Sequence, residues 1–313
     1  MSEEVRRAAE ILRRGGLVAF PTETVYGLGA DASSEAALKK LYAVKRRPPD
    51  HPVIVHFASA EDAFAWAREV PEAARRLAAR FWPGPLTLIL MRAAHVGDFV
   101  TGGQDTVGLR VPSHPVAREL LGIFGGGVAA PSANRFGRVS PTRAEHVRAD
   151  LGAEVDLVLE GGPSEVGIES TIVDLSRGGA VLLRPGAISR AELEAVLGAA
   201  VAAPDARAPR VPGTLERHYA PRTELRLVPA HALDGAIARV SGKAAVLAFS
   251  RPDERAARWL RMPHDPAQYA RRLYAALREL DEARCACILV EEPPDEPAWA
   301  AVRDRLRRAA APA

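Results

Sequence analysis

Cysteine is almost absent from this chain of 313 residues: only Cys285 and Cys287 occur. One residue apart in an apolar, strand-like run, they share a face. A bridge between them would be strained, and no neighbouring His or Cys completes a zinc site. They read as two buried thiols in a reducing cytosol. Aromatic residues make up 5%, too few to supply stacking platforms for single-stranded nucleic acid. Lysine is scarce too: Lys39, Lys40, Lys45 and Lys243 are the only four, and the other cations are arginines. The formal net charge is only +3, so no global field recruits nucleic acid. No uninterrupted apolar run approaches membrane-spanning length. The N-terminal MSEEVRRAAEILRRGG is a charged amphipathic helix rather than a secretory signal. The expectation is a soluble, cytoplasmic protein.

Familiar catalytic signatures are missing as well. The run from Gly235 to Lys243, GAIARVSGK, imitates a Walker A loop, but its spacing is wrong and Ala244 replaces the hydroxyl. No GxGxxG follows a strand, and no HExxH or His/Cys cluster offers a protein-held zinc site. Gly-x-Ser-x-Gly, the usual hydrolase elbow, is absent.

What is present is alternation. A helix over residues 3–14 stops at Gly15-Gly16, and residues 17–20 form a short apolar strand. Ser34 caps a helix toward Val44, and PVIVHF over residues 52–57 reads as a buried strand. Further strands fit 86–91, 107–111, 127–130, 155–159, 170–175 and 181–184. Ser113 and Thr142 cap helices between them, and a last helix covers 189–197. This mixture of strands and uneven helices predicts an α/β domain with a large twisted mixed sheet. Composition then changes: AAVAAPDARAPRVPGTLERHYAP is a semi-extended, proline-rich linker, long enough to serve as a lid. Beyond it, strands at 225–228, 244–249 and 286–290 alternate with helices at 231–240, 254–260, 266–282 and 298–309. They predict a second, smaller Rossmann-like α/β domain. The expected division is 1–198, a linker at 199–221, and 222–313.

Hydroxyls and cations gather at the strand ends. Pro21-Thr22-Glu23-Thr24 follows the first strand, and Gly27 and Gly29 bracket a sharp turn beside Tyr26. Lys45, Arg46 and Arg47 then form a cationic elbow. Such a combination builds a site for an anion. Ser132, in PSAN, follows an apolar strand, and Ser140 opens the next helix; a serine at a helix start suits a phosphate or serves as a plain N-cap. Arg110 alternates with Val107, Leu109 and Val111 and points either into a site or to the surface. Ser170 enters one strand and Arg184 ends another.

PTETVYGLG, KRRPPDHPVIVH, FWPGPLTLIL, VGLRVPSHP, APSANRFGRVSPT, ESTIVD and LLRPG, in this order, resemble the YrdC-type threonylcarbamoyl-AMP synthases over nearly the whole chain. The linker and C-terminal segment resemble those of the long form. The resemblance implies a sheet of the YrdC/dihydroxybutanone-phosphate-synthase type. It also implies a nucleotidyltransferase that condenses L-threonine, bicarbonate or CO2, and ATP (with Mg2+) into threonylcarbamoyl-AMP and pyrophosphate. The product would pass to a tRNA threonylcarbamoyl transferase for modification next to the anticodon. Weak RNA contact, and no membrane, complete the implied partners.

Carried over position by position, the family pattern implies that Thr24, His56, Arg110, Ala130 (through its backbone) and Ser170 hold threonine. It assigns Arg47, His51, Thr106, Ser132, Ser140, Arg184 and Tyr219 to ATP, with Lys45 also facing the phosphates. The planar fork of Arg110 matches an amino-acid carboxylate, and Tyr219 would make the linker a lid. His51 stands where the family commonly has Asn, and its ring still donates one hydrogen bond. No residue is assigned as a covalent or acid/base catalyst, and none as a metal ligand. Glu23 assists as a base or supports the site, or else makes a structural bond in its turn. The rival from another class is an RNA-binding module with a basic concave surface and no chemistry.

Overall fold

Short apolar runs punctuated by glycine and proline form thirteen strands among the described residues, 2–250 and 253–312, of this computed structural model. In chain order they are β1 (Val18–Phe20), β2 (Gly27–Asp31), β3 (Ile54–His56), β4 (Leu86–Met91), β5 (Thr106–Arg110), β6 (Val128–Ala129), β7 (Leu157–Val158), β8 (Thr171–Asp174), β9 (Val181–Arg184), β10 (Leu225–Val228), β11 (Ala244–Ala248), β12 (Arg258–Arg261) and β13 (Cys287–Glu291). The chain divides into two compact units. The first runs to Phe136 and continues through Pro141–Glu165 and Glu169–Thr214; the second comprises Gly137–Ser140, Val166–Ile168 and the chain from Leu215.

The first unit holds a nine-stranded sheet in the order β7-β1-β2-β6-β3-β5-β4-β8-β9. It is mixed: β3 runs parallel to β5 and β4 to β8, whereas β4 and β5 are antiparallel. Alternating side chains serve both faces. Val18 and Phe20 join Val5, Leu12, Leu120 and Leu121 on one side. Ala19 joins Leu38, Leu41, Leu77 and Leu193 on the other. Helices Glu3–Arg13 and Pro115–Phe124 cover the first face. Helices therefore bury the sheet from two sides, which leaves strand ends and connections to carry polar groups.

The second unit is a four-stranded, fully parallel sheet, β10-β13-β11-β12. Val228, Leu233, Ile237, Val246 and Leu289 form its core, with Leu233–Arg239, Pro266–Glu282 and Ala300–Ala309 as its helices. The architecture is thus a large mixed sheet plus a smaller Rossmann-like domain. No helix among the described residues is long and apolar enough to cross a membrane.

Four local readings are corrected. Gly27 and Gly29 lie in β2 rather than bracketing a turn. A Cβ on Gly29 would stand 2.9 Å from the Phe20 ring and 3.0 Å from Val128, so this glycine permits close packing. The helix expected over 254–260 is replaced by a turn and β12, which the parallel pairing with β11 recruits. Ser113 and Thr142 are not caps: His114 caps its helix through its ring, and the helix Ala144–Leu151 begins after Arg143 without a side-chain cap. Of the two thiols, Cys287 is buried in β13, but Cys285 precedes the strand and is only half-buried.

Candidate active site

The parallel pairing of β3 with β5 places His56 directly beside Arg110. Arg110 is buried, and its guanidinium is already partly engaged. Nη2 donates to Glu23 Oε1 at 2.7 Å and to Thr24 Oγ1 at 2.9 Å, while Nε donates to the Gly84 carbonyl at 3.3 Å. The remaining nitrogen, Nη1, makes no hydrogen bond among the described residues. Glu23 is braced from its other oxygen by the Ser113 N–H at 3.1 Å. Burial pushes the His56 ring well below the usual histidine range and the neighbouring Arg110 charge pushes it further, with the Ile54 backbone opposing. The imidazole is therefore neutral at neutral pH. Among the described residues its buried Nδ1 has no hydrogen-bond partner. The antiparallel β3–β6 pairing sets Val128 opposite His56, and the Ala130 N–H donates to the Ile54 carbonyl at 3.0 Å, two residues farther along β3.

Ser170 reaches the same end of the sheet through the Pro83-Gly84-Pro85 turn. That turn offers the Gly84 carbonyl to Arg110 and the Pro85 carbonyl to the Thr171 N–H. Thr24, His56, Arg110 and Ser170 therefore share one end of the sheet, an arginine, a neutral imidazole and two hydroxyls, whereas Ala130 lies opposite Ile54, two residues toward the other end. Such a set binds a carboxylate and a polar side chain together.

A second group forms at the opposite ends of β3 and β5. The helix Glu35–Lys45 ends at Arg46, which adopts a left-handed conformation with φ 52°. This bend turns Arg46 outward and Lys45 and Arg47 inward. Arg47 Nη2 donates to the Pro52 carbonyl at 2.6 Å, and its guanidinium lies 5.3 Å from the centroid of the Phe136 ring. His51 meets the same ring edge-on at 5.2 Å. Lys45 is fully buried, donating to the carbonyls of Ser132 at 2.5 Å and Asn134 at 2.6 Å. Burial holds its pKa well below the ordinary lysine value, and the nearby Arg47 charge lowers it further. Thr106 starts β5 beside Pro52. Arg110 lies four positions farther along β5, about 13 Å of extended strand.

Arg184 does not join the Arg47 group. Its Nε donates to the Ser170 carbonyl at 3.0 Å, Nη2 to Ser170 Oγ at 3.1 Å and Nη1 to the Pro212 carbonyl at 2.8 Å. The arginine thus fastens the linker to the end of the sheet that carries Ser170. Ser140 and Tyr219 belong to the second unit. There the Ser140 carbonyl accepts from Arg278 at 3.4 Å. Tyr219, buried and left-handed at φ 60°, packs against Tyr274 and the guanidinium of Arg305.

Sequence reasoning missed Thr87. It is the one hydroxyl residue in the aliphatic run of β4, LTLILM, and that break in the pattern was the available signal. Its Oγ1 lies 2.8 Å from Ser170 Oγ. The partnership of Glu23 with Arg110 was equally hidden, since 87 residues separate the two. Among the described residues no group of three or more His, Cys, Asp or Glu is arranged to hold a metal ion.

Comparison with known proteins gives this geometry a context. Residues 10–186 match the Sua5/YciO/YrdC family model, described as "Telomere recombination". Residues 188–311 match the model of the threonylcarbamoyl-AMP synthase C-terminal domain. The threonylcarbamoyl-AMP synthase of Pyrococcus abyssi is 40% identical, covering 98% of this chain and 94% of its own length. That of Bacillus subtilis is 38% identical, covering 98% and 93%. The crystal structure of P. abyssi Sua5 complexed with L-threonine superposes with a TM-score of 0.93 at 39% identity, covering 98% of this chain and 94% of that one. The chain belongs to the family of YrdC-type threonylcarbamoyl-AMP synthases, in the long form that carries a C-terminal domain after a proline-rich linker.

Proposed function

We propose that this protein is an L-threonylcarbamoyladenylate synthase, a nucleotidyltransferase using L-threonine, bicarbonate or CO2, and ATP. The observation that carries the reading is the division of polar groups between the two ends of β3 and β5. One end pairs Arg110 with the neutral His56 and Thr24; the other gathers Arg47, His51, Thr106 and the Lys45-held Ser132 segment. The first suits an amino acid and the second a polyphosphate. The L-threonine bound in the P. abyssi relative supports the first assignment.

In the proposed reaction the threonine amine adds to CO2, or to bicarbonate with loss of water, giving N-carboxythreonine. A carboxylate oxygen of that carbamate attacks the α-phosphorus of ATP. The bond from the α-phosphorus to the bridging oxygen breaks, and pyrophosphate leaves with the electron pair. No side chain becomes covalently attached, so the protein contributes position and charge. Arg110, through Nη1, would hold the threonine carboxylate; His56, Thr24, Ser170 and the Ala130 backbone would frame the rest of the amino acid. Arg47, His51, Thr106 and Ser132 would receive the nucleotide, with Arg184 meeting it from the Ser170 end. Magnesium would enter as the ATP complex, held by phosphate oxygens and water. The product would be handed to a tRNA threonylcarbamoyl transferase in the cytoplasm.

The test is pyrophosphate release by purified protein given MgATP, bicarbonate and L-threonine. Release that depends on all three is expected. Release indifferent to omission of threonine or of bicarbonate would overturn the reaction.

A further inference from the structure

We infer that Thr87 is a positioning residue that fixes the polarity of the Ser170 hydroxyl, making it a hydrogen-bond donor to the bound amino acid. This rests on the reading of Ser170 as part of the threonine site. Thr87 is completely buried in β4, and its Oγ1 has a single partner among the described residues, Ser170 Oγ at 2.8 Å. Ser170 Oγ has a second neighbour, Arg184 Nη2 at 3.1 Å. A guanidinium only donates, so the Arg184 contact uses one lone pair of the serine.

The proton between the two hydroxyls can then be assigned. Were Ser170 to donate to Thr87, the Thr87 O–H would be a buried donor with no acceptor, a costly arrangement that native proteins avoid. Thr87 therefore donates to Ser170. The serine oxygen accepts twice, from Arg184 and from Thr87, and both of its acceptor positions are used. Only its own O–H remains, and it is a donor. A group placed against Ser170 must accept: a carboxylate, carbamate or hydroxyl oxygen of the substrate, and not its ammonium. The β4–β8 pairing sets the pair up. Thr87 registers with Ile172, two residues beyond Ser170, so Thr87 is held within β4 and Ser170 directly before the start of β8.

L-threonine affinity, measured by calorimetry on the full-length protein, and pyrophosphate release, titrated separately with threonine and ATP, test this. Thr87→Val keeps the shape and removes the donor. It is expected to raise both the Kd and the KM for threonine about 3- to 10-fold, the loss of one ordinary hydrogen bond. The KM for ATP should change less than about twofold on the same scale, and Thr87→Ser should restore wild-type values. In a Ser170→Ala background Thr87→Val should add nothing, because its effect passes through that serine. A folded Thr87→Val protein with unchanged threonine affinity overturns the inference, as does a full effect persisting without Ser170 or a failure of Thr87→Ser to rescue. If Thr87→Val shows no cooperative melting transition, Thr87→Cys replaces it. The thiol is a weak donor, so a rise in the threonine Kd is expected, and wild-type affinity is the contrary result. Wild-type protein that binds no L-threonine also refutes the role. Pyrophosphate release independent of threonine, with normal calorimetric binding, refutes instead the proposed reaction.

Discussion

Glu23 and Arg110 form a buried ion pair, Oε1 to Nη2 at 2.7 Å with each side chain 5% exposed. Such a pair is less a source of stability than a device that fixes a charge in place, because removing one partner strands the other in a low dielectric. Arg110→Ala is expected to cost about 3–5 kcal/mol of stability and to abolish threonine-dependent turnover. Glu23→Ala/Arg110→Ala should recover part of the melting temperature but none of the turnover. Thermal unfolding and pyrophosphate release of the single and double variants check this. A loss in the double variant equal to the sum of the two single losses would show that the pair is not energetically coupled.

The pair also marks how far the sequence could be read. The hydroxyl-rich turn, the cationic elbow and the polar strand ends are legible because polar residues interrupt apolar runs. Their partners are not. Glu23 finds Arg110, and Thr87 finds Ser170, only because the strand order brings distant segments together. The elbow was legible as charge but not as direction. The left-handed Arg46 turns Lys45 inward to two backbone carbonyls, which makes it a strut for the Ser132 segment. The glycines of β2 show the converse error: Gly27 and Gly29 look like turn residues, but Gly29 serves close packing against Phe20 and Val128.

Lys45→Met removes the ammonium while keeping most of the side-chain volume. It leaves the Ser132 and Asn134 carbonyls without that donor. A stability loss of about 2–4 kcal/mol is expected from two deprived buried acceptors. The KM for ATP should rise more than that for threonine, because the segment released carries Ser132. Chemical denaturation and the two substrate titrations measure both effects. A variant as stable as the wild type would show that water replaces the ammonium without loss.

The neutral state of His56 gives stability a pH dependence of definite sign. Its folded pKa lies below the unfolded value of 6.5, so the unfolded chain binds more protons in the interval between the two. Stability is therefore fully present above about pH 6.5 and is lost as pH falls toward the folded pKa. His56→Gln should flatten this part of the profile, with a smaller drop in melting temperature between neutral and mildly acidic buffers. An identical slope in wild type and variant would remove His56 as the responsible group.

Arg184 offers the corresponding test for the linker. Its Nε and Nη2 donate to Ser170 and its Nη1 to the Pro212 carbonyl. Lysine carries charge but a single nitrogen, so it cannot span both partners. Arg184→Lys should therefore release the linker without emptying the site of charge. Arg207 and Arg210 lie in that linker and are tryptic sites. Their cleavage in the folded protein should quicken about 3- to 10-fold if the lost contact contributes one ordinary hydrogen bond. The same variant should lose kcat/KM for ATP. Linker cleavage at the wild-type rate would mean that the Pro212 contact does not hold the segment. A loss of activity would then have to arise at Ser170 or at the nucleotide contact proposed for Arg184.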